Sequence, residues 1–315
     1  MADTTSGRKP VSWRMLDAVD RLVAAAWPRG AHGMNGYLFI LPAVALVFIL
    51  IVGLGYMADY SLHELDLATY RLKDEYSLAN YAAFFERPVY LRILGRSLLA
   101  AVIVTAVSIV LAFPYAYLMV RTQSAAIRKF LLIALFLPFF IGQVVRAYGW
   151  LIILGKEGFI NSMATALGLP PLDLIYNYPA VIFGLVQYML PFAVLLLTPA
   201  LAAIGEEVEL ASESLGANWV RTFRHVLIPM ATPGLVGASV VVFTLTLTDF
   251  AMPQILGGGT SDFIANAIYD SYFRISNLGL GSALSIILVV IGSALVALIF
   301  MIAGTGTLGI SGRNK

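Results

Sequence analysis

Six apolar stretches dictate what this chain can become. They lie at about residues 37–57, 97–119, 130–154, 174–203, 232–253 and 281–304. Each is near the ~20 residues an α-helix needs to cross the hydrocarbon core of a bilayer. A backbone in lipid has no water to bond to, so such segments read as helices, which satisfy their N–H and C=O groups internally. The expected fold is all-α, with six transmembrane helices. Composition agrees, with 60% hydrophobic residues, 12% charged and a mean hydropathy of +0.86, values outside the range of soluble domains. The fourth stretch is punctuated by Pro179, Pro191 and Pro199, so it is expected to kink or to begin outside the hydrocarbon.

Several chemistries are excluded or disfavoured at once. A net charge of only +2 argues against a polyanion partner such as nucleic acid. The absence of cysteine removes disulfides, iron–sulfur clusters and thiol catalysis. His32, His63 and His225 stand far apart in separate polar segments, so no histidine metal site is expected. Gly304, Gly306 and Gly309 fit G-x-G-x-x-G, but at the end of a span with no room for a βαβ unit the match is chance. Gly257, Gly258 and Gly259 have no lysine following, and no Walker sequence occurs. Any ATP-driven process must therefore take its ATPase from another polypeptide.

Residues 1–36 carry Arg8, Lys9, Arg14, Arg21 and Arg29 and no long apolar run, so they read as a cytoplasmic basic segment, neither a secretory signal nor a span. Met15, Leu16, Val19, Leu22, Val23 and Ala26 recur at helical spacing, which suits a helix in the membrane interface. A partly disordered basic tail is the equal alternative. Further basic residues lie at Arg121, Arg128 and Lys129, at Arg221 and Arg224, and at Arg313 and Lys315 in the tail 306–315. By the positive-inside rule those loops and both termini face the cytoplasm. The first outer loop, 58–96, mixes acidic with basic residues and holds Tyr81, Phe84, Phe85, Tyr90 and Leu91, which predict an interfacial helix before the second span.

One cytoplasmic loop, 205–230, stands out. Glu206, Glu209 and Glu213 fall at i, i+3 and i+7 and predict an acidic helical face opposite Val208, Leu210, Ala211 and Leu215. Gly216 supplies a turn, Asn218 a cap for a second short helix over 219–228, and Pro229 its end. The bland reading is an amphipathic helix resting on lipid headgroups. The spacing of Glu209, Ala211, Gly216, Val226, Ile228 and Pro229 resembles the "EAA" loop of inner-membrane permease subunits of binding-protein-dependent ABC importers. Leu210 stands where that family usually has its Glu, and Ser212 where it has its second Ala; Glu209 offers the acid from the neighbouring position. The resemblance extends from about 60 to 305 through LAFPYAYLMVR, LPFFIGQVVRAYGWLIILGKEGFIN and DFAMPQILGGG, which are similar to the spermidine/putrescine-type branch.

The resemblance implies a type I ABC importer permease (MetI-like) fold, with 37–305 as a multi-pass domain in the bacterial inner membrane. It implies that the chain is not an enzyme and binds no cofactor, ATP and Mg residing on partner ATPase subunits. The implied partners are a second homologous permease in a heterodimer, two cytoplasmic ATPase subunits, an extracytoplasmic binding protein and the lipid bilayer. Glu206, Glu209, Ala211, Ser212, Gly216, Ala217 and Pro229 would couple to the ATPase. The implied cargo is a polyamine; other small organic ions (an opine, an amino-acid derivative, a thiamine-like cation) follow, with ferric ion further off.

Two charged residues, Arg146 and Asp249, fall inside apolar spans, where a charge needs a partner or a role. Counted along straight helices they reach a similar depth, so either they pair with each other or they line a path for solute. Gln143, Arg146 and Trp150 share one face of the third span, Tyr148 is close by, and Gln187 and Tyr188 sit beside Pro191 on the fourth. These polar and aromatic residues are the candidate path lining. A secondary transporter or channel would also explain six spans, but leaves the 205–230 loop without a task and lacks the inverted repeats such carriers show. A membrane-embedded enzyme would need a catalytic constellation within the spans, and the sequence has none.

Overall fold

The computed structural model describes residues 35–303 and Asp17. The remainder of the basic N-terminal segment, the Gly304-to-Gly309 motif and the tail lie outside the described residues. Contacts divide the chain into two units, residues 1–56 and 57–315. Helix α1 (Asn35–Ser61) carries the first apolar stretch, and Ile40, Val44, Val47, Phe48 and Ile51 all stand more than half exposed. An apolar surface on every side suits lipid and not water.

In the second unit the loop after the first apolar helix forms a two-stranded antiparallel hairpin that the hydrophobic pattern does not announce. Strands β1 (His63–Asp66) and β2 (Arg71–Tyr76) pair Leu65 with Leu72. Asp66 closes the turn by accepting from the Ala68 N–H and the Thr69 hydroxyl, both at 2.9 Å. Those two donors hold its carboxyl below the usual carboxylate range. Helix α2 (Ala79–Glu86) is the expected aromatic helix: Phe84 is buried, and Asn80 donates to the Ser61 and His63 carbonyls at 3.0 and 2.9 Å.

Helix α3 (Pro88–Arg121) follows, its proline in the first turn where a missing N–H costs nothing. The third apolar stretch, expected as one span over 130–154, is instead broken. Helices α4 (Ala125–Phe139) and α5 (Gln143–Leu154) are separated by a break, and the chain bends by 95° between Ala125–Phe139 and Gln143–Ala166. Pro138 cannot donate in the last turn of α4, and Gly142 at the N-cap of α5 adopts a non-helical conformation, so the ladder stops between them. A short α6 (Phe159–Ala166) leads to α7 (Tyr178–Ala202). Asn177 caps α7 through the Ala180 N–H at 2.9 Å, so residues 174–177 of the fourth stretch lie before the helix, which then runs through Pro191 and Pro199.

Helix α8 (Glu206–Ser214) precedes α9 (Trp219–Leu247). The expectation that Pro229 ends a short second helix is corrected here. The chain makes one π turn at Phe223–Leu227, with Ile228 N–H bonding to Phe223 O. That extra residue relieves the clash a proline ring makes with the preceding turn, and α9 continues through Pro229 and Pro233. Helices α10 (Ala251–Leu256), α11 (Ile264–Tyr269) and α12 (Leu278–Ala303) complete the fold. Among the described residues, five helices are long and apolar enough to cross a membrane, six if the broken pair counts as one span.

The core lies where α3, α7 and α9 meet. Ala100, Ala112 and Ala116 of α3, Ala193 of α7 and Ala231 and Ala238 of α9 are fully buried. Small residues let helix backbones approach where lipid offers no hydrophobic drive for association. At Gly234 a Cβ would collide with the Ala200 side chain, so the α7–α9 crossing requires glycine there.

Candidate coupling loop and intramembrane polar cluster

Glycine at 216 is required by geometry: its φ is +82°. The Gly216 N–H bonds to Glu213 O at 2.8 Å and the Ala217 N–H to Ser212 O at 3.2 Å, the pair of bonds of a Schellman C-cap. Asn218 then caps α9 by accepting from the Arg221 N–H at 2.9 Å. Helix, left-handed turn and next helix are thus joined with no slack.

The orientation of α8 differs from the expected acidic face. Glu209 turns inward: its Oε1 accepts from Arg121 Nε at 2.6 Å and lies 2.5 Å from Arg121 Nη2, while its Oε2 accepts from the Tyr117 hydroxyl at 2.7 Å. Arg121 also donates to Ile204 O at 2.8 Å. The two side chains of this pair keep 17% and 12% of their surface. Ser212 turns the same way, its hydroxyl 2.9 Å from that of Thr222. Glu206, Leu210, Ala211, Glu213 and Leu215 face outward, so Leu210 and Leu215 are exposed apolar residues and not part of a buried face. The reason is electrostatic: Arg121 sits in the last turn of α3 with Tyr117 one turn behind, and this cation and hydroxyl select the one glutamate within reach. Behind them Phe223 stacks with Trp219 and meets Phe113 edge-on at 5.0 Å.

Arg146 and Asp249, each only 7% exposed, do not pair with each other. Asp249 accepts from the Gln143 side-chain amide through Oδ2 and from the Met252 N–H at 3.0 Å through Oδ1. It lies in the break after α9, its backbone N–H bonded to Thr246 O. Arg146 donates through Nη2 to the carbonyls of Pro138 and Ile141, and its guanidinium lies 5.2 Å from the centre of the Tyr188 ring. The break in the third span puts the Pro138 and Ile141 carbonyls within reach of Arg146, which bonds them in place of Asp249, while Gln143 one turn earlier takes the carboxylate. Trp150 and Gln187 form a neighbouring pair, indole Nε1 to Oε1 at 3.4 Å, with Phe183 edge-on to the indole. Tyr148 is half exposed on the other side of α5 and joins neither group.

Tyr117 and Arg121 are functional candidates that sequence reasoning missed; Arg121 was legible only as one of the basic residues that set orientation. The available signal was their i, i+4 spacing at the end of an apolar span.

A bundle of membrane-crossing helices that carries a rigid charged helix at one end, pinned to two spans, is the architecture of an ABC importer permease subunit. The model for binding-protein-dependent transport system inner membrane components matches residues 108–305, and the chain belongs to that family. It is 35% identical to the inner membrane ABC transporter permease protein YdcU of Escherichia coli K12, over 71% of this chain and 75% of that one. It is 31% identical to the spermidine/putrescine transport system permease protein PotB of Salmonella typhimurium, over 70% of this chain and 77% of the relative. In fold it is similar to a solved bacterial alginate ABC transporter in complex with an alginate pentasaccharide-bound periplasmic protein, with a TM-score of 0.69 at 17% identity, covering 87% of this chain and 95% of that one. The expected all-α permease fold and multi-pass inner-membrane location are borne out. As a permease subunit the chain is not itself an enzyme.

Proposed function

We propose that this permease subunit forms half of the path of an ATP-driven importer for a small organic cation of the polyamine type. The observation that carries the cargo assignment is the similarity, at 30–31% identity over 70% of the chain, to permeases named for spermidine and putrescine. A buried carboxylate, Asp249, is chemistry that suits an alkylammonium. The complex would pair this chain with a second, homologous permease, two cytoplasmic ATPase subunits that bind ATP and Mg, and an extracytoplasmic binding protein. Both termini and α8 would face the cytoplasm. The chain itself would hold no cofactor.

In this reading the outward residues Glu206, Leu210, Ala211, Glu213 and Leu215 meet the ATPase, while Glu209 and Ser212 fasten α8 to the permease's own body. Closure of the ATPases around ATP would move α8; the Glu209–Arg121 pair carries that displacement to α3, and the Gly216 cap, with Ala217 behind it, carries it to α9 and through Pro229 into the span. Gln143, Tyr188 and Asp249 would line the path near the break in the third span, with Trp150 and Gln187 one turn away and Tyr148 at its margin.

The test is uptake of radiolabelled putrescine and spermidine into cells lacking this subunit, with and without the chain restored. Uptake that returns with the chain and disappears without ATP supports the reading. Restored assembly of the complex with no polyamine uptake, while another small organic ion enters, would remove the cargo assignment and leave the importer.

A further inference from the structure

A helix broken inside a membrane leaves its final carbonyl groups without intrahelical donors, and lipid supplies none. Helix α4 ends this way at Phe139. At the bend, Pro138 O in the last turn of α4 and Ile141 O in the connecting residues accept from the guanidinium of Arg146, a residue in the first turn of α5; Pro138 O also takes the Ile141 N–H at 3.2 Å. The same guanidinium faces the Tyr188 ring of α7 at 5.2 Å. One side chain therefore touches both halves of the broken span and the span beside them. A cation is also the group the negative end of the α4 dipole favours. Asp249 is satisfied elsewhere, by Gln143 and the Met252 N–H. Nε and Nη1 of Arg146 are buried without a partner, so its engagement with the protein rests on the two carbonyls and the ring.

We propose that Arg146 is the positioning residue that holds the third span in its broken form, its guanidinium tying the Pro138 and Ile141 carbonyls of the bend to α5. The carboxylate of Asp249 is then not its counter-ion, and Arg146 acts on transport through the shape of the path, not by touching cargo. The proposal rests on the permease reading only where transport is measured.

The test uses the assembled complex in lipid with spin labels on cysteines at Ile133→Cys of α4 and Ile152→Cys of α5, both more than half exposed in a chain with no native cysteine. A straight helix would separate the labelled backbones by about 28 Å at 1.5 Å per residue, and a right-angle break by on the order of 10 Å less. With Arg146 present a single short distance is expected. Arg146→Gln should shift it to the longer one and lower the maximal transport rate while leaving the half-saturation concentration unchanged. Arg146→Lys, which keeps a cation able to donate to both carbonyls, should retain the short distance. Asp249→Asn should retain it as well. A short distance in Arg146→Gln, or a long one in Arg146→Lys, overturns the proposal, and the Lys variant decides alone if the Gln complex does not assemble. A long distance in Asp249→Asn overturns it too, by making the carboxylate part of the device. Because the distance is read without cargo, failure of the polyamine assignment would show as absent uptake by the wild type with these distances unchanged.

Discussion

Removing the carboxylate of Glu209 should detach α8, the proposed coupling helix, without unfolding the permease. Glu209 accepts hydrogen bonds from Arg121 and Tyr117 and lies 2.5 Å from Arg121 Nη2. A hydrogen bond to a charged group contributes about 1.5–3 kcal/mol, and breaking a fully desolvated pair by deleting one partner costs about 3–5 kcal/mol. This pair keeps 17% and 12% of its side-chain surface, which places Glu209→Ala below that upper range. A cost of roughly 2–3 kcal/mol is reasonable. Helix α8 has no fully buried residue, and beyond this pair its side-chain fastening is the Ser212–Thr222 contact and the half-buried Val208. At 1.4 kcal/mol per factor of ten, the detached fraction should rise by roughly 30- to 150-fold. In proteoliposomes holding the whole complex, solute moved per ATP hydrolysed should fall steeply in Glu209→Ala. Protease sensitivity near residues 205–217 should rise, and the melting temperature of the spans should change little. Arg121→Met should reproduce this, and Glu209→Leu with Arg121→Met should recover part of the coupling by replacing an ion pair with apolar packing. A wild-type transport ratio in Glu209→Ala, or a double variant as poor as the sum of the singles, refutes the reasoning.

Three further outcomes follow from the same geometry. At Gly216 the space beside the Cα is open, so substitutions should rank by tolerance of φ +82°, with Gly216→Asn mild, Gly216→Ala costing about 1–2 kcal/mol and Gly216→Val worst; coupled ATPase activity that ignores this order contradicts the cap. Asp249→Asn keeps one of the two acceptor oxygens, for the Met252 N–H, and the Gln143 amide can turn to accept from the new NH2, so stability should drop by only about 1 kcal/mol while the half-saturation concentration for a dication rises; its stability effect should add to that of Arg146→Gln, and strong mutual rescue would restore the ion pair the structure lacks. For orientation, a cysteine at Ser12 or Ser311 should be shielded from an impermeant thiol reagent in intact cells, and one at Leu67 in the exposed hairpin turn should react; Ser261, an outer-loop position by sequence, is only 4% exposed and would report poorly.

Much of the fold was legible because lipid imposes a length and a polarity on every span, and both survive in a single sequence. The Gly216 turn was legible too, since few residues accept a left-handed conformation. The break in the third span was not, because Pro138 and Gly142 are each tolerated within membrane helices and only their tertiary setting turns them into a right-angle bend. Pro229 misled in the opposite direction: a proline at the end of a short amphipathic segment reads as a stop, whereas a π turn at Phe223–Leu227 absorbs it. The inward turn of Glu209 depends on Arg121, 88 residues away in sequence, and helical periodicity within α8 carries no information about that partner. The same holds for Arg146 and Asp249, whose separate partners are backbone groups and an amide that no charge pattern displays.

The central claim is that α8 meets a separate ATPase with the face that carries Ala211 and Leu215 and is fastened to its own spans by the face that carries Glu209 and Ser212. Single cysteines at Ala211, Leu215 and Ser212 in the otherwise cysteine-free chain test it directly, by cross-linking to the ATPase subunit in the assembled complex and comparing yields with and without ATP. The account predicts efficient cross-links from Ala211→Cys and Leu215→Cys that change in yield with nucleotide, and little or none from Ser212→Cys. Efficient cross-linking from Ser212→Cys with none from the other two, in a complex that still hydrolyses ATP, would contradict it.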